Sequence, residues 1–471
     1  MPASLVRPGL LLVIDNFILV ISGWLFWIVT TKFATAGEIG SSTSIITLMT
    51  FISGLLILGF EFPLLKDRIA RTDAANQNAD LVREKRKPMF WTIFLFTMGI
   101  NLAAMPILWL VLSGTFATAT SETIIFALSL FLITGLSTIS KYALLGILST
   151  KLVLVADIAA TLTRFSVAIP LLVYGDQAVF AVVFGNFMSA LFLCVIVTIG
   201  AVVRLGTALN TRKELLFSLK EALSNFPSKV ARFSITPLAI ILLTFAGVSA
   251  SEIGIFFVAL IISLAAGTLA SSITTVSLPA SSEGGDSFRL SLKLGLTLTS
   301  PFIVILFVFP ENILGLIDTG YAAGSSMLSV LALAVFPSTM LFNLIMRLNS
   351  ENDNRMIILI GVAQLAVLGA TFAILVDEFT VLGAAVAILA AYSVPAVMLL
   401  KRLTREEHSL VIRTLISLAA GVAFGVMIQY IVTGIVAMVA AFLFTFVVMH
   451  LLRALRFREI SDLVISIKQR T

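Results

Sequence analysis

Six ionisable residues sit inside long apolar runs: Asp15, Lys141, Asp157, Arg164, Lys229 and Arg232. Charge at such positions is costly unless it faces protein, water or a bound ion, so these residues are where chemistry is sought first. Lys141 and Asp157 each stand eight residues from Ser149, where a turn is expected. That spacing brings them to the same depth across a helical hairpin, and an ion pair is the plainer expectation. Arg164 follows Asp157 by seven residues, close to two helical turns, and shares its face. Reaching back to Asp157 would need about 10 Å of axial rise, so the guanidinium needs another carboxylate, carbonyls, water or an anion. Structural pairing and anion binding both stand for it.

The run Ser224–Pro237, SNFPSKVARFSITP, places Lys229 and Arg232 three apart on one face between Pro227 and Pro237. The prolines are expected to break or bend a helix there. Irregular backbone at membrane depth has to line protein or a water-filled cavity. Two readings stand for the cations: a cavity lining, or interfacial side chains that snorkel to lipid phosphates. Glu61 is expected to pair with a nearby cation such as Lys66, and Asn101, Asn186, Asn343, Gln364 and Gln429 to hydrogen-bond between helices. His408 and His450 lack metal-ligand company, and no P-loop, catalytic triad or metal cluster appears, so no cofactor is implied.

The elements that carry these residues are read from composition. The chain is 59% hydrophobic and 12% charged, with a mean hydropathy of +1.10, which marks an integral membrane protein. A window of roughly 19 residues gives about 14 spans. They fall near 9–30, 41–62, 89–113, 123–146, 152–174, 178–203, 229–249, 253–273, 294–313, 326–347, 355–376, 380–400, 410–431 and 434–452. Continuous apolar character points to helices, since barrel strands alternate. The first run is too long for a cleaved signal peptide. Cys194 lies in a span, has no partner for an internal disulfide, and is expected to be a buried, inert thiol.

Lys and Arg collect in alternate loops. Lys66, Arg68, Arg71, Arg83, Lys85, Arg86 and Lys87 follow the second span, and further basic groups follow the sixth, eighth, tenth and twelfth spans and fill the tail. The opposite loops carry Glu38, Glu122, Asp176, Glu252, Glu311, Asp318, Asp377 and Glu378, with Lys32 as their cation. Both termini are therefore expected in the cytoplasm, in a multi-pass protein of the cell membrane. The net charge of +6 follows from this topology and does not point to nucleic acid.

The sequence also echoes itself. Gly37-Glu38-Ile39-Gly40 returns as Ser251-Glu252-Ile253-Gly254, and Ser137-Thr138 aligns with Ser338-Thr339. The match sets span one on span seven and span two on span eight. The expected fold is thus an all-α polytopic membrane protein: two six-helix bundles as a parallel pseudo-repeat, residues 1–203 and 204–402, plus a helix pair and tail over 403–471. In this register Asp15 falls on Lys229. An acid of one half would then face a base of the other, as a gate or as a structural pair.

The opening span pair, with Trp24-Leu25-Phe26-Trp27 and Glu38-Ile39-Gly40, the stretch Gly59 through Ile69, and Thr319-Gly320-Tyr321 carry a resemblance. With the pattern of spans, the chain resembles the polysaccharide flippases of the multidrug/oligosaccharidyl-lipid/polysaccharide (MOP) exporter superfamily. The resemblance implies two six-helix bundles around a central cavity. It also implies a polyprenyl-pyrophosphate-linked oligosaccharide moved outward by alternating access. Its partners would be that lipid-linked substrate, the bilayer, and glycosyltransferases or polymerases of the same route. An anionic pyrophosphate needs cations, and Arg164, Lys229 and Arg232 are the candidates, with Lys141 and Asp15 beside them. A multidrug/cation antiporter would favour acids in its cavity, and Asp15 is the main one here. A peptidoglycan-precursor lipid flippase suits the span count. A membrane glycosyltransferase or polymerase usually needs an acidic motif in a sizeable exterior loop, and the exterior loops here are short.

Overall fold

The computed structural model describes residues 3–66, 79–116, 119–206, 212–280, 287–351, 353–432 and 434–454, and their regular structure is helical throughout. In order the helices are α1 (Ala3–Thr30), α2 (Ala36–Leu56), α3 (Glu61–Lys66), α4 (Ala79–Thr115), α5 (Ser121–Gly146), α6 (Thr150–Tyr174), α7 (Ala178–Leu205), α8 (Arg212–Phe233) and α9 (Ile235–Phe245). There follow α10 (Ala250–Ala280), α11 (Ser287–Val308), α12 (Pro310–Ile317), a 3-10 turn over Thr319–Gly324, α13 (Ser325–Ser350), α14 (Asn354–Leu399), α15 (Arg405–Gln429) and α16 (Ile435–Leu451).

Among the described residues ten helices are long and apolar enough to cross a membrane. α14 is one of these ten yet supplies two spans: its 46 residues cover about 69 Å at 1.5 Å each, and Thr380, at φ 46°, divides it into two helices. The broken α8–α9 and the shorter apolar helices Ile14–Thr30 and Ile435–Leu451 supply the remaining spans, so each of the expected spans has its helix.

The chain forms two compact units, Phe33–Ala246 and Met1–Lys32 with Gly247–Thr471. This division differs from the boundaries 1–203, 204–402 and 403–471 drawn from the sequence, and the reasons are local contacts. In the first unit α9 is bound to α2, where Thr244 Oγ1 donates to Ser44 Oγ at 2.9 Å. In the second, α1 packs on α10, where the Trp27 ring meets Phe257 edge-on at 4.7 Å and Phe26 is fully buried. The bulky Trp24–Trp27 stretch thus includes rings that fasten α1 to its unit. The helix pair α15–α16 packs on α11, where Val304, with Phe309 just beyond the helix end, shares a core with Ala437 and Ala441.

Within the first unit α7 lies against both α5 and α6. Its approach to α6 depends on Gly185, where an added Cβ would lie 2.5 Å from the Ala168 methyl; small residues of this kind let membrane helices pack closely. Phe131, Met49, Leu112 and Ala127 fill one core, and Phe60, Phe90, Leu144 and Val153 a second. Cys194, on α7, is half-buried rather than enclosed, with Sγ 3.7 Å from Thr198 Oγ1.

Two breaks shape this unit. α2 ends at Leu56, and Leu58 and Gly59 take left-handed φ of 54° and 84° before α3 begins at Glu61. A Cβ on Gly59 would lie 2.7 Å from the carbonyl oxygen of Ala222, so α8 runs directly over the break. The second break is at Ser234, where Ser218–Ala231 and Ile235–Phe245 meet at 70°. Pro237 accounts for it: its ring conflicts with the carbonyl four residues back, which belongs to Phe233, the last residue of α8. Pro227, by contrast, is accommodated inside α8. Lys229 and Arg232 consequently sit on the amphipathic α8 and not on the apolar segment beyond it. That helix buries Ser218 and Ala222 and exposes Leu216, Lys220 and Leu223.

Candidate functional site

The first unit holds three of the six ionisable residues of the apolar runs in ion pairs. Lys141 on α5 and Asp157 on α6 flank the turn Ile147–Ser149, and Lys141 Nζ lies 2.6 Å from Asp157 Oδ2. Asp157 is nearly inaccessible, at 4% side-chain exposure, and Lys141 is at 21%. The hairpin spacing in the sequence forms this pair as expected. Because Asp157 is engaged here, Arg164 is not its partner of necessity. Arg164 sits half-buried in the middle of α6.

Lys229 has a counter-ion that the sequence did not assign to it. Its Nζ lies 2.8 Å from Glu61 Oε1, and both side chains are largely buried, at 15% and 8% exposure. Glu61 therefore pairs across to α8; the side chain of Lys66, its expected neighbour, lies outside the described residues. The signal that could have found it is Gly59: a left-handed turn with no room for a Cβ shows that a second backbone runs alongside. Lys229 had also been set opposite Asp15 by the internal echo. Asp15 belongs to the other unit, on α1, and is buried to 3% while Ile14, Asn16 and Phe17 beside it are exposed. It does not face lipid. The Arg232 side chain lies outside the described residues.

The second unit has its own cation, Arg347 near the end of α13, which sequence reasoning passed over. Its Nε donates to Glu351 at 2.9 Å, its Nη1 lies 3.4 Å from the buried Glu407, and its guanidinium covers the Phe288 ring at 4.9 Å. Glu407 also closes the capping box of α15 with Thr404, so Arg347 secures the C-terminal helix pair. Lys32 donates to the Ile317 carbonyl at the end of α12, where helix carbonyls favour positive charge.

Polar residues expected between helices divide. Asn343 Oδ1 accepts from Ser291 at 2.7 Å and Gln429 Nε2 donates to the Val308 carbonyl at 2.7 Å, both across helices. Asn186 instead bonds back to Val182 in its own helix. Asn101 is fully buried with neither end of its amide hydrogen-bonded within the described residues.

The internal echo acquires a structural meaning. Thr35 caps α2, accepting from Glu38 N at 3.3 Å while Glu38 Oε2 accepts from Thr35 N at 2.8 Å. Ser249 does the same for α10, accepting from Glu252 N at 3.3 Å and donating to Glu252 Oε2 at 2.7 Å. At the second anchor Ser137 and Ser338 each donate to the carbonyl three residues back, at 3.0 and 2.9 Å, a bond that serines such as Ser22 and Ser224 make in other helices too.

Residues 37–319 match the family described as polysaccharide biosynthesis protein. No curated protein matches the chain. Among solved structures it is similar to the lipid II flippase MurJ in an inward closed conformation, at 16% identity over 95% of this chain and 98% of that one, with a TM-score of 0.69. It is also similar to an inward-facing multidrug resistance MATE family transporter of the MOP superfamily, at 12% identity over 82% and 96%, with a TM-score of 0.58. A MOP superfamily transporter from Pyrococcus furiosus, whose binding pocket is described as of reverse polarity, matches at 12% identity over 83% and 94%, with a TM-score of 0.54. Identities this low speak for the fold, and the family match covers more than half of the chain. The chain belongs to the polysaccharide biosynthesis protein family, and its polytopic helical fold is the one seen in the MurJ and MATE structures.

Proposed function

We propose that the protein is a flippase that moves a polyprenyl-pyrophosphate-linked oligosaccharide from the cytoplasmic to the outer leaflet of the cell membrane by alternating access, with both termini in the cytoplasm. The observation that carries this reading is the family match over residues 37–319. The charge pattern supports the orientation, because basic loops stay inside. Arg164 supports the substrate class. A guanidinium half-buried at mid-helix suits a pyrophosphate, which it can bind through two parallel hydrogen bonds. Arg232 is proposed as a second anion contact. Lys141 and Lys229, each already held by a carboxylate, are given the structural part, and Asp15 a place on the cavity wall. The sequence lacks an ATP site, so an ion gradient, the membrane potential or removal of product drives the cycle. Glycosyltransferases and a polymerase are the partners this route calls for.

A peptidoglycan-precursor lipid is the second reading, favoured by the likeness to the lipid II flippase over nearly the whole of both chains. Both substrates carry a pyrophosphate, so vesicles loaded with each in turn separate them. Purified protein is expected to translocate the oligosaccharide lipid faster. Arg164→Ala should slow it by about tenfold or more, the scale of one lost charge-assisted contact at ~1.4 kcal/mol per tenfold, with insertion unchanged. Wild-type rates in that variant would remove Arg164 from the site. No movement of either lipid would overturn the flippase reading.

A further inference from the structure

A pocket of about 240 Å³ opens in the first unit beside Glu38, Phe116, Thr120, Thr123, Gln177 and Phe180. It is smaller than the roughly 300–1,000 Å³ of drug-sized sites. Three helices begin around it: α2 at Ala36, α5 at Ser121 and α7 at Ala178. The charge distribution places this end of the unit outside the cell.

The lining selects among ligands. Helix N-termini carry partial positive charge, which disfavours a cation. The Glu38 carboxylate disfavours an anion. The wall is mixed, with Ile45, Ala119, Ala178 and Val179 beside the two phenylalanines, and its hydroxyl, amide and carboxylate groups would be left unpaired against a lipid tail. A neutral polyhydroxyl compound meets none of these objections. Glu38 accepts hydrogen bonds, with Oε2 committed to the cap and Oε1 left over. Gln177 both donates and accepts, and it makes no side-chain cap to α7 although it stands at the N-cap position. Thr120 and Thr123 hold their hydroxyls 2.9 Å apart at the mouth of α5.

The aromatic wall is fixed in advance. Phe180 stacks on Phe184 at 5.5 Å and 9°, and Phe126 stands edge-on to both at 5.8 and 4.7 Å. A ring so held offers a flat apolar face, the complement of the C–H face of a pyranose, at little entropic cost. Resting on the reading that this chain exports a glycan, we infer that the pocket binds one neutral sugar residue of that glycan on the outer side.

The test uses full-length protein in detergent and saturation-transfer NMR with glucose, galactose, mannose, rhamnose, N-acetylglucosamine and glucuronate. At least one neutral sugar should receive saturation. Gln177→Leu and Phe180→Ala should each lower it about fivefold, the scale of ~1 kcal/mol, with the melting temperature checked for each. Gln177 is exposed, so its variant keeps the test open should Phe180→Ala unfold. Saturation of none of the neutral sugars, or equal transfer in wild type and Gln177→Leu, would overturn the inference while leaving vesicle transport to stand. Binding that is lost in the variants of a protein that moves no lipid-linked oligosaccharide upholds the pocket and fells the transport reading alone.

Discussion

The two halves of the chain enter their second long helix in the same way and approach it differently. Both α2 and α10 begin with a hydroxyl residue, Ala, one variable residue and Glu-Ile-Gly, and both hydroxyls cap their helix through the glutamate three residues on. The lead-in to the first cap is one uninterrupted 28-residue helix, α1. The lead-in to the second is bent by 70°, with an amphipathic arm tied by Lys229 to Glu61. Each lead-in also belongs to the unit that its own half does not build: α1 to the one completed by Gly247–Thr471, α9 to the one running from Phe33. The repeat has kept the local chemistry that starts a helix. It has altered the stretch where a connecting arm had to be accommodated.

The largest expected effect breaks that difference directly. Lys229→Ala leaves Glu61 buried without its cation, and losing one member of a buried pair costs about 3–5 kcal/mol. The melting temperature in detergent should fall sharply, and transport should fall with the amount of folded protein. The double variant Glu61→Gln, Lys229→Met should recover most of the stability, because an apolar and neutral pair has no buried charge to compensate. Full stability but no transport in Lys229→Ala would move Lys229 from the structural group to the substrate contacts.

What could be read without coordinates follows from how local each signal is. The spans and the Lys141–Asp157 pair depend on hydropathy and on spacing across one turn, and the structure carries the pair at 2.6 Å. The Glu61–Lys229 pair joins residues 168 positions apart through a break in one helix and a close crossing by another. No periodicity records such a crossing. The unit a terminal helix joins was not legible for the same reason: it is decided by side chains such as Trp27 and Thr244, which read in sequence as ordinary apolar and polar residues. Capping was visible as the echo itself, although its meaning as a helix start needed the hydroxyl two residues before the repeated motif.

A smaller effect tests whether the crossing over α3 matters. Gly59 has φ 84° and faces the Ala222 carbonyl. Gly59→Ala meets the left-handed cost of about 1–2 kcal/mol and a contact that backbone must move to relieve. Thermal denaturation should show it less stable than wild type, with the loss enlarged when combined with Lys229→Ala if the two share one local structure. Strict additivity would mean that the break and the ion pair are independent.

The smallest effect asks whether the two caps are equal. Thr35→Ala and Ser249→Ala each remove one capping oxygen and should cost about 1 kcal/mol apiece. The glutamates should not be equal. Glu38 accepts from both the hydroxyl and the backbone N–H of Thr35, at 2.8 Å each, whereas Glu252 takes the hydroxyl of Ser249 at 2.7 Å. Glu38→Ala therefore leaves a backbone donor of the helix start without its acceptor, and Glu252→Ala removes a contact between side chains. A carboxylate in the first turn favours both helices by a similar few tenths of a kcal/mol through the helix dipole, so that contribution cancels in the comparison. The remaining difference, about 0.5–1 kcal/mol for one hydrogen bond, should make Glu38→Ala the less stable of the two. Equal melting temperatures would mean that water takes over the Thr35 N–H at the exposed end of α2, and the two helix starts would then be energetically as well as chemically alike.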